Sequence, residues 1–451
     1  MTRAPQLRHC VVLGCGIAGM LAAAAVAPHA AHVTIVERDR LPAQPTPRPG
    51  VRQGRQLHAL PAGGARAIET LLPGTLESLG SAGALRIDMP GRALVYGPYG
   101  WIRPFPPRQY LIGCTRPLLE HVIRIQLLRQ HPITVLEATD ATGLIGNSRQ
   151  VQGVHTRDRD TGVDAALTAD LVIDATGRSS KTPRWLLDLG LPPAPTTVVD
   201  SGIIYASRIV QAPPHDIRQY PFVAIQADPG SRTPGRAGFL LRIEGDRWII
   251  ALYGTRGAAP PVDEHGFAQF AHSLRHPLIS DLIQRATPLT RIYGFGHTAN
   301  RRHHYEQLPT WPQHLLVIGD AATSLNPIYA HGMSVAAHSA TALHTALANQ
   351  RDARTIQRTI ARTGNLAWLI STTSDIRYPQ ILGAQPTWRH AVLTRCMDRF
   401  IRTAATHPGA AAAFIDVFTL SAPLSRVATP SVAAATIRGP RLPPLQTPPA
   451  L

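Results

Sequence analysis

The chain has 451 residues, enough for two or three domains with sizeable cores, and its hydrophobic content of 44% is ordinary for a globular protein. The formal net charge is +17, but the arginines are spread along the chain without a nucleic-acid motif, which argues against nucleic-acid binding. No apolar run is long enough to span a membrane, so we expect a cytoplasmic protein. The cysteines form no CxxC pair and no zinc spacing, and we expect all of them to be buried and reduced: Cys10, Cys15, Cys114 and Cys396.

The first clear pattern is the stretch from Val11 to Glu37. An apolar run predicts a strand, the sequence Gly14-Cys15-Gly16-Ile17-Ala18-Gly19 predicts a tight turn opening a helix, and a second apolar run ends in Glu37. In such a motif the glycines let the backbone turn, approach a pyrophosphate and bring the helix close to the sheet, while the acidic residue can bind a ribose. The stretch predicts a dinucleotide site, and leaves FAD and a nicotinamide open. The structural alternative is a glycine turn in an ordinary βαβ unit.

The next segments combine loops, short strands and one helix. We interpret the proline-rich loop 42–49 as surface, followed by Arg55 and His58 at the start of a helical pattern. Each of these two side chains could point at the cofactor or be a solvated surface charge. Short strands near 85–87, 93–96 and 110–112 surround a turn that places Tyr99 and Trp101 at its tip. A helix then begins after Thr115, a plausible N-cap, and Arg116 at its start could reach a phosphate or ribose.

The middle of the chain is rich in β-structure. A strand at 171–173 leads into Asp174 to Gly177, and further strands are expected at 198–209, 222–227, 238–243 and 247–253. In the strand at 247–253 the side chains point alternately to two faces, which predicts a half-buried sheet with one apolar face. Such a sheet could roof a substrate pocket, with Tyr205, Trp248 and Tyr253 as candidates, although plain core packing is the alternative for each aromatic. Residues 263–285 are expected to be helical with a break near Pro277.

A third strand-end motif follows. Leu315 to Ile318 predict a buried strand that ends in Gly319-Asp320, followed by the loop Asn326 to Met333 and a helix. His303 and His304 are adjacent, which is not a helical metal-ligand spacing, and no metal site is predicted. Beyond residue 346 the chain is expected to be helical, and the proline-rich tail from Pro440 to be extended and lightly held. The expected core residues there are Trp368, Leu369, Phe400, Phe414 and Phe418.

The order and spacing of the three strand-end motifs resemble those of the group A flavoprotein monooxygenases. A closer likeness is to the flavin-dependent polyene epoxidases of polyether ionophore biosynthesis, of the lasalocid and monensin type. The segments that carry it are Gln53 to His58, Tyr99 to Trp101, Asp200 to Ala206, Gly254 to Gly257, Asn300 to Arg302 and Asn326 to Met333.

The resemblance implies an α/β protein (α+β overall). It would have a Rossmann-like FAD-binding domain of the p-hydroxybenzoate hydroxylase type, an inserted β-sheet substrate domain and a C-terminal helical region. The implied bounds are 1–84, 113–182 and 291–345 for the discontinuous FAD-binding domain, 85–112 and 183–290 for the substrate domain, and 346–451 for the helical region.

The resemblance also implies roles for individual residues. The fingerprint residues Gly14, Cys15, Gly16, Ala18 and Gly19 would hold the FAD pyrophosphate, Glu37 the adenosine ribose, and Arg38, Arg55 and Arg116 the adenosine and diphosphate side. Asp174 and Gly177 would serve FAD and the passing nicotinamide, Gly319 and Asp320 the ribityl chain, and Pro327, His331, Gly332 and Met333 the isoalloxazine ring. Catalytic residues stay unknown, because the flavin would carry the chemistry.

The implied reaction is oxygen transfer. NAD(P)H, with NADPH favoured, would reduce FAD, and O2 would give a flavin C4a-hydroperoxide that epoxidises an alkene of an apolar polyketide, either free or bound to a carrier protein. The alternatives are an aromatic hydroxylase, a non-redox cyclase that keeps FAD as a structural element, and a halogenase, whose lysine and tryptophan motif is not found. One departure concerns the flavin loop, where Ala330 stands in place of the glycine of typical members.

Overall fold

The computed structural model describes residues 7–385, 387–440 and 442–450. The centre of the fold is a five-stranded parallel sheet. Its middle strand contains the run from Val11 to Leu13, which is completely buried, as expected for a parallel sheet covered on both faces. In spatial order the strands are Leu315–Val317, Leu171–Asp174, Leu7–Leu13, Ala30–Val36 and Ile133–Leu136.

The helix Ile17–Val26 connects the strands Leu7–Leu13 and Ala30–Val36. It packs against the long helix Gly332–Ala348. Ala22 to Ala25 are buried because both sides of the helix are covered, by the sheet and by the long helix. The predicted strand–turn–helix–strand unit is therefore confirmed. The fold class is confirmed as well, since a Rossmann-like parallel core is combined with further sheets and C-terminal helices.

An eight-stranded, mostly antiparallel sheet forms the second layer. Its strands are Thr287–Pro288, Ile204–Gln211, Arg247–Gly254, Arg236–Ile243, Phe222–Ile225, Leu94–Gly97 and Gly100–Trp101, with Tyr293–Phe295 also paired to the second of these. The strands Arg236–Ile243 and Arg247–Gly254 form a hairpin that turns at Glu244 to Asp246, where both Gly245 and Asp246 adopt positive φ.

Three small sheets complete the β-structure. They consist of Asp164–Thr168, Val151–Asp158 and Thr139–Gly146; of Thr196–Val199, Asn300–His303 and Thr323–Ser324; and of Ala59–Pro61, Gln109–Gly113 and Leu85–Met89. The strands of the segment 85–112 are thus divided between the last of these sheets and the eight-stranded sheet.

Two expectations about the β-structure were wrong. The strand predicted at 198–209 is two strands in different sheets, because the Asp200 carboxylate accepts the Gly202 N–H at 2.8 Å and Gly202 turns with a φ of +63°. The sheet is also not half-buried. Residues from Trp248 to Gly254 are buried on both faces of the strand. Helices pack on one face, and the other face lines the interior of a cavity rather than the outer surface.

The helices surround these sheets. Their bounds are Ile17–Val26, Ala62–Leu71, Thr75–Ser81, Arg116–Gln130, Thr182–Asp188, Asp216–Gln219, Glu264–His272, Leu278–Arg285, Gly332–Ala348, Ala353–Thr363, Asn365–Asp375, Trp388–Ala404, Pro408–Phe418 and Pro430–Arg438. Single turns of 3-10 helix lie at Ala27–His29, Arg52–Arg55, Gly177–Ser179, Tyr305–Gln307, Gly319–Ala321, Pro327–Tyr329 and Leu424–Ala428. The Thr115 hydroxyl accepts the Leu118 N–H at 3.3 Å, which confirms the predicted N-cap, and the helical segment after Asp263 is broken before Leu278 as expected.

Several predicted environments differ in the structure. Arg55 and His58 do not start a helix, because a 3-10 turn and the strand Ala59–Pro61 come before the helix that begins at Ala62. Cys396 is exposed, unlike the other three cysteines, and Leu369 is exposed rather than in the core. Both lie on the C-terminal helices, where a cavity wall leaves one helix side without packing.

The proline-rich tail is held more firmly than expected. The Trp101 N–H donates to the Leu445 carbonyl at 3.0 Å, and the Leu445 side chain packs against the core cluster beneath the eight-stranded sheet. Arg103 Nη2 also donates to the Pro443 carbonyl at 3.1 Å. Within the described ranges, no helix combines the length and apolarity needed to cross a bilayer.

Candidate active site

The carboxyl ends of the central parallel strands open onto one cavity with a volume of about 1260 Å³. Typical small-molecule pockets have about 300–1000 Å³, so this cavity is large. Gly14 and Gly16 after the first strand, Gly177 after the second and Asp320 after the third all line it. The fold therefore brings the three strand-end motifs to one place.

The glycine turn presents backbone rather than side chains to the cavity. Gly14 has a φ of +94°, and its N–H donates to the Val36 carbonyl at 2.8 Å, which fixes the turn against the neighbouring strand. At Gly16 no described atom lies within 4 Å of the position a Cβ would take. Gly16 is also the N-cap of the helix Ile17–Val26 without any side-chain cap, so free N–H groups at this helix end can receive an anion.

Gly19 serves a different purpose from Gly16. A Cβ at Gly19 would lie 1.8 Å from the Gly14 carbonyl oxygen and 3.5 Å from the Ala175 Cβ. The start of the helix thus lies close to the glycine turn before it and to the end of the neighbouring strand Leu171–Asp174. Gly19 lets the helix begin directly under the turn, and it does not itself line the cavity.

Glu37 belongs to a buried cluster of charges. Its Oε2 accepts the Cys15 N–H at 2.6 Å, and its Oε1 lies 3.1 Å from Arg48 Nη1. Arg48 also contacts Asp39 at 2.9 Å and Glu120 at 3.4 Å, and it donates to the Cys15 carbonyl at 2.9 Å. Burial alone would lower the pKa of Arg48, but these carboxylates, Glu37 first, raise it above its ordinary value.

Sequence reasoning missed Arg48. The residue lies in the proline-rich loop that we interpreted as surface, yet it is buried and lines the cavity. Its three carboxylate partners come from two other segments, since Glu37 and Asp39 follow a strand and Glu120 lies on the helix Arg116–Gln130, so no pattern within its own loop points to it. The acidic residue Glu37, which follows a strand at the expected place, was the only available signal.

Arg116 and His58 lie side by side on the cavity wall. Arg116 forms an ion pair with Glu120 at 2.8 Å at the start of its helix. The His58 Nδ1 lies 2.9 Å from the Gln56 carbonyl, an arrangement in which Nδ1 donates and leaves Nε2 as an acceptor. Burial, together with the nearby Arg116 charge, lowers the pKa of His58 to about 4, so the ring is neutral at physiological pH.

The other two arginines of this side are less deeply placed. Arg38 lines the cavity but is exposed. Arg55 is exposed, stacks over the Tyr293 ring at 5.1 Å from its centroid and is not part of the wall. The expectation that Arg55 points at the cofactor is therefore wrong, because its side chain lies over the Tyr293 ring, although Gln53 of the same turn lines the cavity.

Asp174 shapes the second strand-end loop from within. Its carboxylate accepts hydrogen bonds from the Thr176 N–H at 2.8 Å, the Thr176 hydroxyl at 2.6 Å, the Thr182 hydroxyl at 2.5 Å and the Ser180 hydroxyl. It is completely buried and does not line the cavity. Asp174 thus holds the loop that presents Gly177, which has a φ of +76°, to the cavity.

The third strand-end loop is tied to the second by an ion pair. Arg178 Nε lies 3.6 Å from the Asp320 carboxylate, and Arg178 also donates to the Ala299 and Leu325 carbonyls at 2.9 and 2.5 Å. Asp320 is partly exposed to the cavity, so one side of its carboxylate stays available to a ligand.

The loop after Asn326 carries an unusual backbone conformation. Pro327–Tyr329 form a 3-10 turn that ends at Ala330, whose φ of 56° and ψ of 22° lie in the left-handed region. That region favours glycine, and an alanine there costs roughly 1–2 kcal/mol. Ala330 lines the cavity, as do Gly332 and Met333 at the start of the next helix.

The candidates from the sequence divide into two groups. Those that line the cavity are Gly14, Gly16, Ala18, Glu37, Arg38, Arg116, Gly177, Asp320, Pro327, Gly332 and Met333. Those that lie behind its wall or outside it are Cys15, Gly19, Arg55, Asp174, Gly319 and His331. His331, for example, is buried with its Nε2 at 2.8 Å from the Phe418 carbonyl, and burial lowers its pKa to about 4.

Asp375 is a second residue that sequence reasoning missed. This completely buried carboxylate accepts hydrogen bonds from Asn300 Nδ2, Asn326 Nδ2 and the Tyr329 hydroxyl, all at 2.8 Å. Burial raises its pKa to about 6. Asp375 lies on a C-terminal helix, and it pins the loop that contains Ala330.

The far end of the cavity is apolar. The eight-stranded sheet and the C-terminal helices meet there, and the lining includes Phe222, Phe239, Met397, Phe400, Ile401, Phe414 and Phe418. Among the described residues, no group of three or more His, Cys, Asp or Glu side chains is placed to hold a metal ion.

The aromatic residues predicted to line the pocket lie in two different environments. Tyr99, Tyr205 and Tyr253 line the cavity, and the Phe239 and Tyr253 rings stack with centroids 5.2 Å apart. Trp101 and Trp248 are completely buried in the core between the sheet and its covering helices, so the expectation that they line the pocket was wrong. Strand alternation places Trp248 on the face opposite Tyr253, and the cavity lies on the Tyr253 face.

Comparison with curated proteins found one similar relative. The chain is 28% identical over 430 residues to Protein Rv3254 of Mycobacterium tuberculosis (strain ATCC 25618 / H37Rv), covering 91% of this chain and 89% of the relative. No family model matches the chain.

Solved structures share the fold. The flavin-dependent brominase Bmp2 has a TM-score of 0.60 at 14% identity, covering 95% of this chain and 92% of the brominase. PqsL of Pseudomonas aeruginosa, a probable FAD-dependent monooxygenase, has a TM-score of 0.57 at 18% identity, covering 82% and 94%. The Diels-Alderase PyrE3 of pyrroindomycin biosynthesis has a TM-score of 0.58 at 14% identity, covering 91% and 80%. At these identities the likeness shows the fold alone.

Proposed function

We propose that the chain is an FAD-dependent monooxygenase. The observation that carries the proposal is one large cavity, in which the three strand-end motifs line one end and aromatic and aliphatic side chains line the other. Such a cavity has room for a dinucleotide and an apolar substrate together. Several structural neighbours that share the fold are themselves flavin-dependent enzymes, which supports the same assignment.

The residues at the cofactor end fit FAD. The open face of Gly16 and the uncapped helix end beside it suit a diphosphate. Glu37 uses only part of the acceptor capacity of its two oxygens in contacts with protein groups, which leaves room for a ribose hydroxyl. Asp320 would hold the ribityl chain, and the N-terminal residues Gly332 and Met333 of the long helix would lie beside the ring.

For the reaction, we propose epoxidation of an alkene in a long, largely apolar polyketide. FAD, once bound and reduced by NADPH, supplies the oxygen-transfer chemistry. The chain's own part is to orient the alkene and exclude water, which suits the aromatic wall formed by Phe222, Phe239 and Phe414. No side chain is needed as a nucleophile or strong base. The polyketide could be presented free or on a carrier protein.

We propose that NADPH reaches the cavity from its exposed side. Arg38 and Lys181 both line the cavity and are exposed. Their positive charge would attract the phosphates of a transient nicotinamide cofactor.

Two alternatives differ in their support. A non-redox cyclase that keeps FAD as a structural element is favoured by one observation, the left-handed alanine Ala330 beside the expected ring position, and the Diels-Alderase PyrE3 shares the fold. An aromatic hydroxylase has less support, because a phenol would suit a small polar pocket, whereas this cavity is large and apolar at its far end.

The test combines flavin content with isotope labelling. The purified protein would be incubated with NADPH, a synthetic linear triene ester and ¹⁸O-labelled O2, with p-hydroxybenzoate as the competing aromatic substrate. We expect bound FAD and a triene product that carries the label. An unlabelled product formed without NADPH would support the cyclase instead, and labelled dihydroxybenzoate would support the hydroxylase.

A further inference from the structure

The apolar end of the cavity opens to the surface through exposed hydrophobic side chains. Leu369, Leu393, Leu424 and Ile437 line the cavity and are nevertheless exposed, Ile437 to 72%. A side chain can line a cavity and also be exposed to solvent only where it lies at the mouth of that cavity. These side chains come from four different helical segments, so they surround the opening rather than lie along one edge.

The helix Trp388–Ala404 extends this apolar surface. Val392 precedes Leu393 and is 50% exposed, and Trp388 one turn earlier is exposed as well. Residues four apart lie on the same side of a helix, so Trp388 and Val392 form a stripe. We call the set Leu369, Val392, Leu393, Leu424 and Ile437 the apolar collar. Large apolar side chains exposed together around one opening are typical of an interaction site.

Arginines border the apolar collar. The sequence from 387 to 440 contains six arginines and two acidic residues. Both acids are already paired: Asp398 with Arg377 at 3.0 Å, and Asp416 with Arg108 and Arg426 at 3.1 and 3.2 Å. The exposed Arg395 lies one turn beyond the Trp388–Val392 stripe on the same helix, and the exposed Arg438 follows Ile437.

The helix ends at the mouth are braced together. Arg399 Nε donates to the Thr436 carbonyl at 2.7 Å, and its Nη2 donates to the Ile437 carbonyl. This contact holds Ile437 and Arg438 beside the helix that carries Val392 and Arg395. The apolar collar and its cationic border therefore form one surface.

We propose that the apolar collar docks onto an anionic membrane surface, so that an apolar substrate passes from the bilayer into the cavity. Amphipathic helices with arginines and large apolar side chains bind the interface of anionic lipids in this way. A second copy of the chain would bring two cationic surfaces together, which is unfavourable. An acidic protein would match the charge but would leave the collar itself without an apolar counterpart. The docking goes beyond the proposed reaction, while the passage of an apolar substrate rests on that reaction.

The experiment measures sedimentation of the full-length protein with two kinds of vesicle. One contains equal parts of phosphatidylglycerol and phosphatidylcholine, and the other contains phosphatidylcholine alone. We expect binding to the anionic vesicles that weakens at high salt. The Val392→Ser/Ile437→Ser variant should bind about tenfold more weakly because it removes inserted aliphatic groups. Arg395→Gln should bind about fivefold more weakly, since each arginine near an anionic surface contributes about that factor.

Matched controls use exposed residues that do not line the cavity. Val163→Ser, in the turn between two strands of a small sheet, and Arg351→Gln should bind like the unchanged protein. Equal loss in the control variants, or no sedimentation with either vesicle, would overturn the proposal. Two other results, each without vesicle binding, would overturn the proposal in favour of a protein partner. One is a complex with a purified acyl carrier protein in size-exclusion chromatography. The other is a dimer that Val392→Ser/Ile437→Ser abolishes.

Discussion

Replacing Asp375 by asparagine should remove a buried charge and leave the loop that contains Ala330 in place. The aspartate accepts the amide donors of Asn300 and Asn326 on one oxygen and the Tyr329 hydroxyl on the other. An asparagine can turn its oxygen to the two amides and its NH2 group to the tyrosine oxygen, which is also an acceptor. All three contacts then survive, and charge is the main difference between the two proteins.

The expected effect on stability depends on pH. Burial raises the pKa of Asp375 from its ordinary value of 3.8 to about 6, and hydrogen bonds offset this only in part; their donors are Asn326, Tyr329, Ser201 and Asn300. Between these two values the folded protein binds more protons than the unfolded chain, so the free energy of unfolding falls as pH rises. The complete loss corresponds to about 3 kcal/mol. About 2 kcal/mol of it falls between about pH 4.5 and about pH 8. The asparagine variant escapes this loss.

The assay is urea unfolding of both proteins at these two pH values. The free energy of unfolding of Asp375→Asn minus that of the unchanged protein should rise by about 2 kcal/mol from the lower to the higher pH. Asp188→Asn, which alters an exposed carboxylate paired with Arg184, serves as the control and should show a nearly constant difference. A constant or falling difference for Asp375→Asn would refute the reasoning.

Further predictions concern the cofactor end. Gly16→Ala should fold normally but retain less FAD, because its methyl group extends only into the open cavity. Gly19→Ala should unfold at a lower urea concentration, because its methyl group would overlap the Gly14 carbonyl. Normal flavin content in the first variant, or normal stability in the second, would contradict these predictions. Asp320→Ala should lose bound flavin, measured by absorbance after gel filtration, and an unchanged content would refute its assigned role. Ala330→Gly should relieve roughly 1–2 kcal/mol of backbone strain, offset by about 0.4–1 kcal/mol of unfolded-state entropy. We expect a small gain in urea stability and faster NADPH oxidation, and a slower rate would oppose the strain argument.

Local patterns were sufficient to predict the parallel sheet and its strand ends. A buried strand that ends in glycine and a helix that follows it are both encoded within about ten residues, so Val11 to Glu37 could be interpreted from the sequence. Because the carboxyl ends of parallel strands share one edge, the convergence of the fingerprint, Gly177 and Asp320 followed from the order of the elements.

Long-range contacts could not be predicted in this way. Arg48 and Asp375 owe their positions to partners that lie up to 75 residues away in the sequence. Periodicity showed that Trp248 and Tyr253 lie on opposite faces of a strand, but both faces are buried, and nothing in the sequence says which one borders the cavity. Trp101 was predicted at the tip of a turn but lies in a short strand, where it packs in a core cluster and pairs with the distant Leu445.

The contact between Leu445 and Trp101 has a consequence for handling the protein. Gly100–Trp101 is the last strand of the eight-stranded sheet, and an uncovered edge strand is a template for pairing with other chains. The tail supplies a backbone carbonyl to this edge and a leucine to the core beneath it, and a Cβ at Gly100 would lie 2.8 Å from the Leu445 carbonyl oxygen. Deleting the segment from Pro443 to Leu445, or replacing it with a fused tag, would uncover both the edge and the apolar slot, and such proteins should self-associate.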